Sequence, residues 1–586
     1  RRIESSPPGL CPVDMARAFL ELCHAQTCGK CVPCRIGLGQ LNNFIREVLD
    51  GKATMKTLDI MEQTALSIME SADCAIGYEA ANMVYKGLIG YRDDYVEHIQ
   101  NGRCTCTYNQ PVPCVSLCPA HVDIPGYVAL VGEGRYADAI RLLRKDNPFP
   151  TTCGFICEHP CEARCRRNMV DDSINIRGLK RVAADFAGEV DPPKCAPDTG
   201  KKIAILGGGP GGLSAAYYLQ LMGHQTTVYE MLPKLGGMLR YGIPNYRLPK
   251  DRLDDDIRAI LKTGVQVKNG LKIGQDITIQ QLRQEYDVVL ITIGASTDKK
   301  LGLENEDADG ILSAVQFLRN VGKNQIMDLT GKEVAVIGGG NVSMDAVRTA
   351  KRLGAKKVSI VYRRRVADMT ALPGEIDGAV AEGIELQTLK APASIDVDEN
   401  HHVKGIYVTP QMVSSIRDGR ASIKPTGEED IYIPCDVLIV AIGQNIETHH
   451  FEQAGIPVER GKIVTKSTGA FENLPGVFAG GDCASGPASV IKAIAAAKVV
   501  AANIDEYLGY HHEISCDVDI PEAHLDDRTP CGRVNLTDRE ACERVCDFEA
   551  VENCMTEKEA KQEAGRCLRC DHFGYGIFKG GRETLW

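Results

Sequence analysis

At 586 residues the chain is several times the usual size of one domain, so three to five domains are expected and core burial is not limited by length. Hydrophobic residues make up 44% and charged residues 25%, an ordinary globular balance, and the net charge of −11 argues against a nucleic-acid or anionic-membrane surface. A protein or small-molecule partner is expected instead. No run reaches about eighteen uncharged apolar residues, since 489–504 carries Lys492 and Lys498, so no membrane span is expected. Arg1-Arg2-Ile3 has neither a methionine nor an apolar signal core and reads as a processed or incomplete start. The 24 cysteines fall in clusters within a long chain that shows no secretory signal. Metal ligation in a reducing compartment, the cytoplasm, is therefore the better reading than a disulfide scaffold.

In chain order, apolar residues recur at three and four positions over 13–22, 36–49 and 136–144, which predicts helices. Between the first two lie Cys28, Cys31 and Cys34, with Cys74 about forty residues later. Zinc sites usually take two separated pairs, whereas three successive thiolates and one remote fourth suit a [4Fe–4S] cluster. The next cysteines are Cys104, Cys106, Cys114, Cys118, Cys153, Cys157, Cys161 and Cys165. Paired prolines and a turn cluster over 191–200 mark a linker, after which strands alternate with helices as in a parallel α/β sheet.

The strand 203–206 runs into Gly207-Gly208-Gly209-Pro210-Gly211-Gly212 and a helix over 213–222, the dinucleotide fingerprint in its required context. Gly207 allows the tight turn, Gly209 lets the backbone approach a pyrophosphate, and Gly212 permits close helix–strand packing. The following strand ends in Glu230, placed to accept from an adenosine ribose hydroxyl. A second strand, turn and helix begin at 334–337 with Gly338-Gly339-Gly340-Asn341-Val342-Ser343. Its next strand ends in Arg363, Arg364 and Arg365 where the first site has an acid. Guanidinium groups suit a 2′-phosphate, which favours NADPH over NADH at this turn.

The array Gly480-Gly481-Asp482, with Ile293-Gly294-Ala295 and Ile442-Gly443-Gln444, resembles the two-dinucleotide flavoprotein fold. Within it, Gly236-Gly237-Met238-Leu239-Arg240-Tyr241-Gly242-Ile243-Pro244 and Val361-Tyr362-Arg363-Arg364 look like the glutamate synthase small subunit and the flavin module of dihydropyrimidine dehydrogenase, over roughly 102–508. The resemblance implies FAD at Gly207, Gly209, Pro210, Gly212, Glu230, Gly237, Met238, Leu239, Gly242, Ile243, Gly481 and Asp482. It implies NADP(H) at Gly338, Gly340, Asn341, Val342, Arg363 and Arg364. Disulfide reductases of this fold carry a close redox cysteine pair beside the flavin, and none occurs between 201 and 508. No catalytic acid–base set is required, because flavin chemistry belongs to the cofactor.

Residues 11–74 resemble the C-terminal cluster domain of the NADH-binding flavoprotein subunit of complex I, without that subunit's FMN and NADH domain. The double-cluster domain of the glutamate synthase family implies one site at Cys104, Cys106, Cys114 and Cys165 and another at Cys118, Cys157 and Cys161. Its fourth ligand in relatives falls where this chain has Lys180, and an ammonium ion is no ligand, so Cys153, another donor or an altered cluster stay open. The C-terminal Gly565-Arg566-Cys567-Leu568-Arg569-Cys570 echoes the family's usual opening motif. With Cys542, Cys546 and Cys554 in a charged, helix-like stretch nearby, a fourth iron–sulfur or a zinc site is open there; Cys516 and Cys531 read as structural.

The fold expected is α/β, with two Rossmann-like dinucleotide-binding domains preceded by two helical iron–sulfur domains. The limits expected are 1–100 for the complex I-like [4Fe–4S] domain, 101–195 for the double-cluster domain, 196–330 and 438–510 for the two parts of the FAD domain, 331–437 for the NADPH domain and 511–586 for a cysteine-rich end. The function expected is an NADPH-dependent FAD and iron–sulfur oxidoreductase subunit. It would hold three [4Fe–4S] clusters within a hetero-oligomer of redox subunits, ferredoxin among the candidate partners. Joining a complex I-like cluster domain to this flavoprotein suggests an electron-bifurcating transhydrogenase. The alternatives are a glutamate synthase small subunit and a wiring scaffold with an empty flavin domain.

Overall fold

Proline at the first position of a helix forfeits no hydrogen bond and arrives with a helical φ, and Pro12 opens the helix Pro12–Ala25 in this way. The computed structural model describes residues 11–101, 112–417, 420–523 and 531–572. The first helix packs with Leu38–Leu49, Met55–Ser71, Ala75–Gly90 and Arg92–Asn101 around a core of their own that includes Leu20, Leu41, Ile45, Met61, Val84 and Leu88. Each helix turns one apolar stripe inward, which is what the three-and-four spacing encodes.

The helices Ile124–Gly132, Tyr136–Asp146, Pro150–Ile156 and Ile176–Phe186 instead share one core with the first parallel sheet. Tyr217 and Tyr218, fully buried on the helix Pro210–Leu221, donate to the carbonyls of Arg144 (3.0 Å) and Asp146 (2.7 Å). A buried phenol without such a partner would be costly, so these bonds fix the helical segment on the sheet.

That sheet has five parallel strands in the order Val477–Ala479, Val288–Ile291, Lys202–Leu206, Gln225–Glu230, Gln266–Asn269. A second five-stranded parallel sheet runs Ile311–Ser313, Val437–Val440, Glu333–Ile337, Lys357–Tyr362, Glu385–Thr388. The pairing of Ile311–Ser313 with Val437–Val440 moves the limits expected at 331 and 437, because both strands belong to the second sheet. The chain crosses between the two units where Thr297–Asp298 pairs with Gln444–Asn445. Strand–helix alternation also fails over 390–434, where Lys390–Val397, Val403–Arg417, Arg420–Pro425 and Ile431–Pro434 form an antiparallel sheet. Ile406 and Val408 are buried there and Tyr407 between them is exposed, the period of two that a sheet with one wet face requires.

The segment 531–572 has little regular structure beyond Ala541–Arg544, Glu557–Gly565 and the turn Cys570–His572. It lies across both dinucleotide units and the helical segment as a strap. The Val551 amide donates to the Tyr246 carbonyl (2.9 Å), Asn245 Nδ2 donates to the Phe548 carbonyl (3.0 Å), and Arg177 and Arg544 pair with Glu552 and Glu382. Among the described residues no helix is long and apolar enough to cross a membrane.

Candidate functional site

Gly207 turns the chain at φ +114°, and a Cβ there would meet the Thr292 carbonyl oxygen at 2.5 Å. A Cβ on Gly212 would lie 1.9 Å from the Gly207 carbonyl, so helix and strand meet only without side chains. Gly237, at φ +49°, backs onto Gly209 at 2.7 Å in the same sense. Gly207, Gly209 and Gly237 line a cleft together with Pro210, Glu230, Met238, Gly481 and Asp482. Glu230 Oε2 accepts from the Gly208 amide and Oε1 from the Leu232 amide, each at 2.8 Å, while burial raises its pKa.

Asp482 carries the test of whether a cofactor fits. Burial raises its pKa to about 6, opposed by the Ala488 amide, and Oδ1 is buried with no hydrogen-bond partner among the described residues. An orphaned buried acceptor costs stability unless a ligand hydroxyl fills it, and a ribityl chain offers hydroxyls. The cleft therefore fits FAD. Four of the expected contacts are not in its lining: Gly212 backs onto Gly207, Leu239 packs into the core, Gly242 lies against Met238, and the Ile243 carbonyl accepts from Lys250 Nζ. Thr292, Ser296 and Arg319 line the cleft as well. The sequence offered no local signal for them, since they reach it through strand order.

In the second turn Gly338 sits at φ +145°, and a Cβ would strike the Ala441 carbonyl at 2.4 Å. Gly340 precedes the helix Asn341–Arg352, whose free amides and dipole favour an anion. The Asn341 side chain is already engaged, accepting from the Leu372 amide (3.0 Å) and donating to Glu158 (3.2 Å), and Val342 packs toward the unit's core. Arg365 is tied to Asp368 at 2.8 Å. Arg364 Nε donates to the Ala421 carbonyl at 3.1 Å, and Arg363 is exposed with no ion pair among the described residues. Of the three arginines, Arg363 and Arg364 keep donors for a phosphate.

Cys28, Cys31, Cys34 and Cys74 converge in the first helical unit. The Cys34 thiol is pushed up to about 12 by burial and by Cys31, with Cys74 and Cys28 adding to it. The Cys31 thiol is lowered, its sulfur accepting from the Cys34 and Asp73 amides, as suits a thiolate. Gly77, which sequence reasoning passed over, makes room: a Cβ there would lie 2.6 Å from Cys34 Sγ.

A second set, Cys118, Cys153, Cys157 and Cys161, surrounds Lys180 on the helix Ile176–Phe186. Burial works against the lysine's charge, but Cys157, Cys153, Cys118 and Cys161 outweigh it and the pKa is raised. Lys180 thus stands among the thiols as a charge, and Cys153, fully buried, brings a fourth sulfur. His159, at φ +41°, bends the loop so that its amide faces Cys157 Sγ at 3.4 Å. Cys114 and Cys165 lie beside Cys567 and Cys570, whereas Cys104 and Cys106, expected there, lie outside the described residues. Of the other C-terminal cysteines, Cys542 and Cys546 are exposed, and the expected helix shrinks to Ala541–Arg544 because the strap is held by side chains rather than by its own backbone. Among the described residues, Cys435 and Cys483 lie in different cores and do not form a pair.

Residues 201–497 match the pyridine nucleotide-disulphide oxidoreductase family. The chain belongs to that family. Residues 14–98 match the NADH-ubiquinone oxidoreductase-F iron-sulfur binding region and 90–191 match dihydropyrimidine dehydrogenase domain II, 4Fe-4S cluster. This oxidoreductase thus joins an FAD- and NADP-binding domain to [4Fe–4S]-binding domains. The NADP(+)-dependent formate dehydrogenase subunit beta of Moorella thermoacetica is 32% identical, covering 97% of this chain and 92% of its own. The NADPH-Fe(3+) oxidoreductase subunit beta of Geobacter sulfurreducens is 33% identical over 96% and 90%. The glutamate synthase [NADPH] small chain of Escherichia coli is 33% identical over 67% and 88%.

Proposed function

We propose that the chain is the NADPH-dependent subunit of a multisubunit redox complex, exchanging electrons between NADP(H) and a partner protein in the reducing cytoplasm. The observation that carries this is the contrast between two similar glycine turns, one followed by a strand that ends in the buried Glu230 and the other by a strand that leads into Arg363 and Arg364. An acid suits a ribose hydroxyl and repels a 2′-phosphate, and the arginines do the reverse. FAD, when bound, supplies the exchange between a hydride's two electrons and the single electrons that clusters carry.

The chain's own residues position and insulate. Gly207, Gly209, Pro210 and Gly237 admit the cofactor's backbone, Asp482 accepts from its polyol, and Gly338, Gly340, Arg363 and Arg364 hold the nicotinamide nucleotide. Cys118, Cys153, Cys157 and Cys161 would hold one cluster and Cys28, Cys31, Cys34 and Cys74 another, the latter nearer a partner surface because Cys28 and Cys74 are exposed. The finer reading is an electron-bifurcating transhydrogenase linking NADPH, NADH and ferredoxin. Relatives named as beta subunits span nearly the whole chain, whereas the glutamate synthase small chain spans about two thirds, which favours a complex of the former kind. The test is anaerobic purification followed by titration, with flavin absorbance bleached by NADPH and not by NADH. Absence of bleaching overturns the proposal, and a copurified glutaminase-bearing subunit would replace the finer reading with the glutamate synthase one.

A further inference from the structure

The Cys567–Cys570 pair lies more than four hundred residues beyond Cys165, yet the two segments meet. Cys114 on the short helix Pro113–Leu117 and Cys165 between two 3-10 turns line one cleft with Cys567 and Cys570, closed by Ile124, Val128, Ile174 and Ile176. Burial raises the Cys114 thiol well above its ordinary value, and the neighbours adding to this are Cys570, Cys165 and Cys567, in that order. The Cys165 sulfur takes the amides of Ile174 and Arg167, and the Cys567 sulfur takes that of Arg569. Amides aimed at sulfur are what a cluster thiolate requires.

The strap is bolted at this place. Glu563, with a fully buried side chain, accepts from the Asn175 and Val534 amides at 2.7 Å each and pairs with Arg566 at 2.6 Å. Arg566 also reaches Asp171 (3.1 Å) and the Asp172 carbonyl (2.7 Å), in the loop that follows Cys165. Arg569, inside the cysteine loop, stands at φ +49° and is clamped by Asp571 and the Pro521 carbonyl. A non-glycine residue rarely adopts this conformation unaided, so the surroundings impose that turn on the chain. Hydrogen bonds and packing thus fix two thiols from the end of the chain opposite two from its first third.

We propose that Cys114, Cys165, Cys567 and Cys570 ligate one [4Fe–4S] cluster, so that the C-terminal strap completes a centre in the middle of the electron path. This rests on the function proposed above. On ligation the four thiols give up their protons to solvent, and the cluster needs no ligand from Cys104 or Cys106. One contact ties the site to the first helical unit: the Tyr91 hydroxyl lies 4.0 Å from Met169 Sδ, on the 3-10 turn that follows Cys165.

The experiment compares wild-type, Cys567→Ser/Cys570→Ser and Cys104→Ser/Cys106→Ser proteins, purified anaerobically as full chains and assayed for iron, acid-labile sulfide, zinc and flavin. The first variant is expected to lose about four irons and four sulfides per chain while keeping its flavin and its bleaching by NADPH, and the second to keep all its iron. Should the first variant fail to fold, alkylation mapping of the wild-type protein decides: Cys567 and Cys570 are expected to be protected until iron is chelated. Iron retained in the first variant, iron lost only from the second, zinc in place of iron, or alkylation before chelation overturns this assignment alone. Wild-type protein without iron or sulfide overturns the broader function as well.

Discussion

Cys28, Cys31, Cys34 and Cys74 sit in a helical unit with its own core, all within one short stretch of chain, and two of them are exposed. Cys114, Cys165, Cys567 and Cys570 come from three distant segments and meet at a seam where the strap crosses the helices. A local site depends on its own helices and can be altered without disturbing the rest of the molecule. A seam site shares its supports with the fold, so the residues that place its thiols also hold the domains together.

The sharpest way to break this comparison is to remove a buried support of the seam. Arg566→Met leaves the Glu563 carboxylate buried without its ion pair and is expected to cost about 3–5 kcal/mol in urea unfolding, whereas Arg92→Ala in the first unit, whose partners Asp59 and Glu62 are half exposed, costs less than about 1 kcal/mol. Equal costs would mean that the strap does not support the body.

Next is the strap's other anchor, Glu382, which is held by Arg348, Arg352 and Arg544. Burial alone raises its pKa, but the bonds from Arg352 and Arg348 outweigh this and leave it at about 2. A carboxyl depressed in the folded state stabilises fully above its unfolded value near 4.5, and this contribution fades as pH falls toward about 2. Glu382→Gln is expected to lower stability at neutral pH by roughly 3 kcal/mol and to flatten that part of the acid-unfolding curve, read by circular dichroism.

Smaller effects should follow at single centres. Lys180 places a positive charge among Cys118, Cys153, Cys157 and Cys161, which favours the more negative, reduced cluster. Lys180→Met is expected to lower one potential by on the order of 60 mV, the tenfold equivalent for one electron, in an EPR-monitored redox titration. No shift would mean that the lysine is screened from the cluster. Cys28→Ser should remove iron from the first unit alone, change stability by no more than about 0.5 kcal/mol, and leave flavin bleaching by NADPH intact. Loss of bleaching would show that the local site is not independent.

The parts legible in the sequence were those built from neighbours in the chain. Gly207, Gly209 and Gly212 carry their reasons within six residues, and the structure places carbonyl oxygens where the side chains of Gly207 and Gly212 would stand. The spacing of Cys28, Cys31 and Cys34 pointed to one site, and Cys74 joins it after two intervening helices, Leu38–Leu49 and Met55–Ser71. Leu239 and Ile243 stood in a convincing loop motif, yet which of its residues face the cleft depends on how that loop lies on the helix after it. The antiparallel sheet over 390–434 was missed because its strands sit between helix-bearing repeats that set the expectation.

By itself, then, the sequence determined the two glycine turns with their opposite charges, the parallel sheets around them and the presence of cysteine-rich segments, because each rests on contacts between residues close in the chain. Only the tertiary structure decided which cysteines meet, what became of Lys180 and where the C-terminal pair belongs. Those answers come from buried ion pairs and shared cores between segments hundreds of residues apart, and no local spacing encodes them.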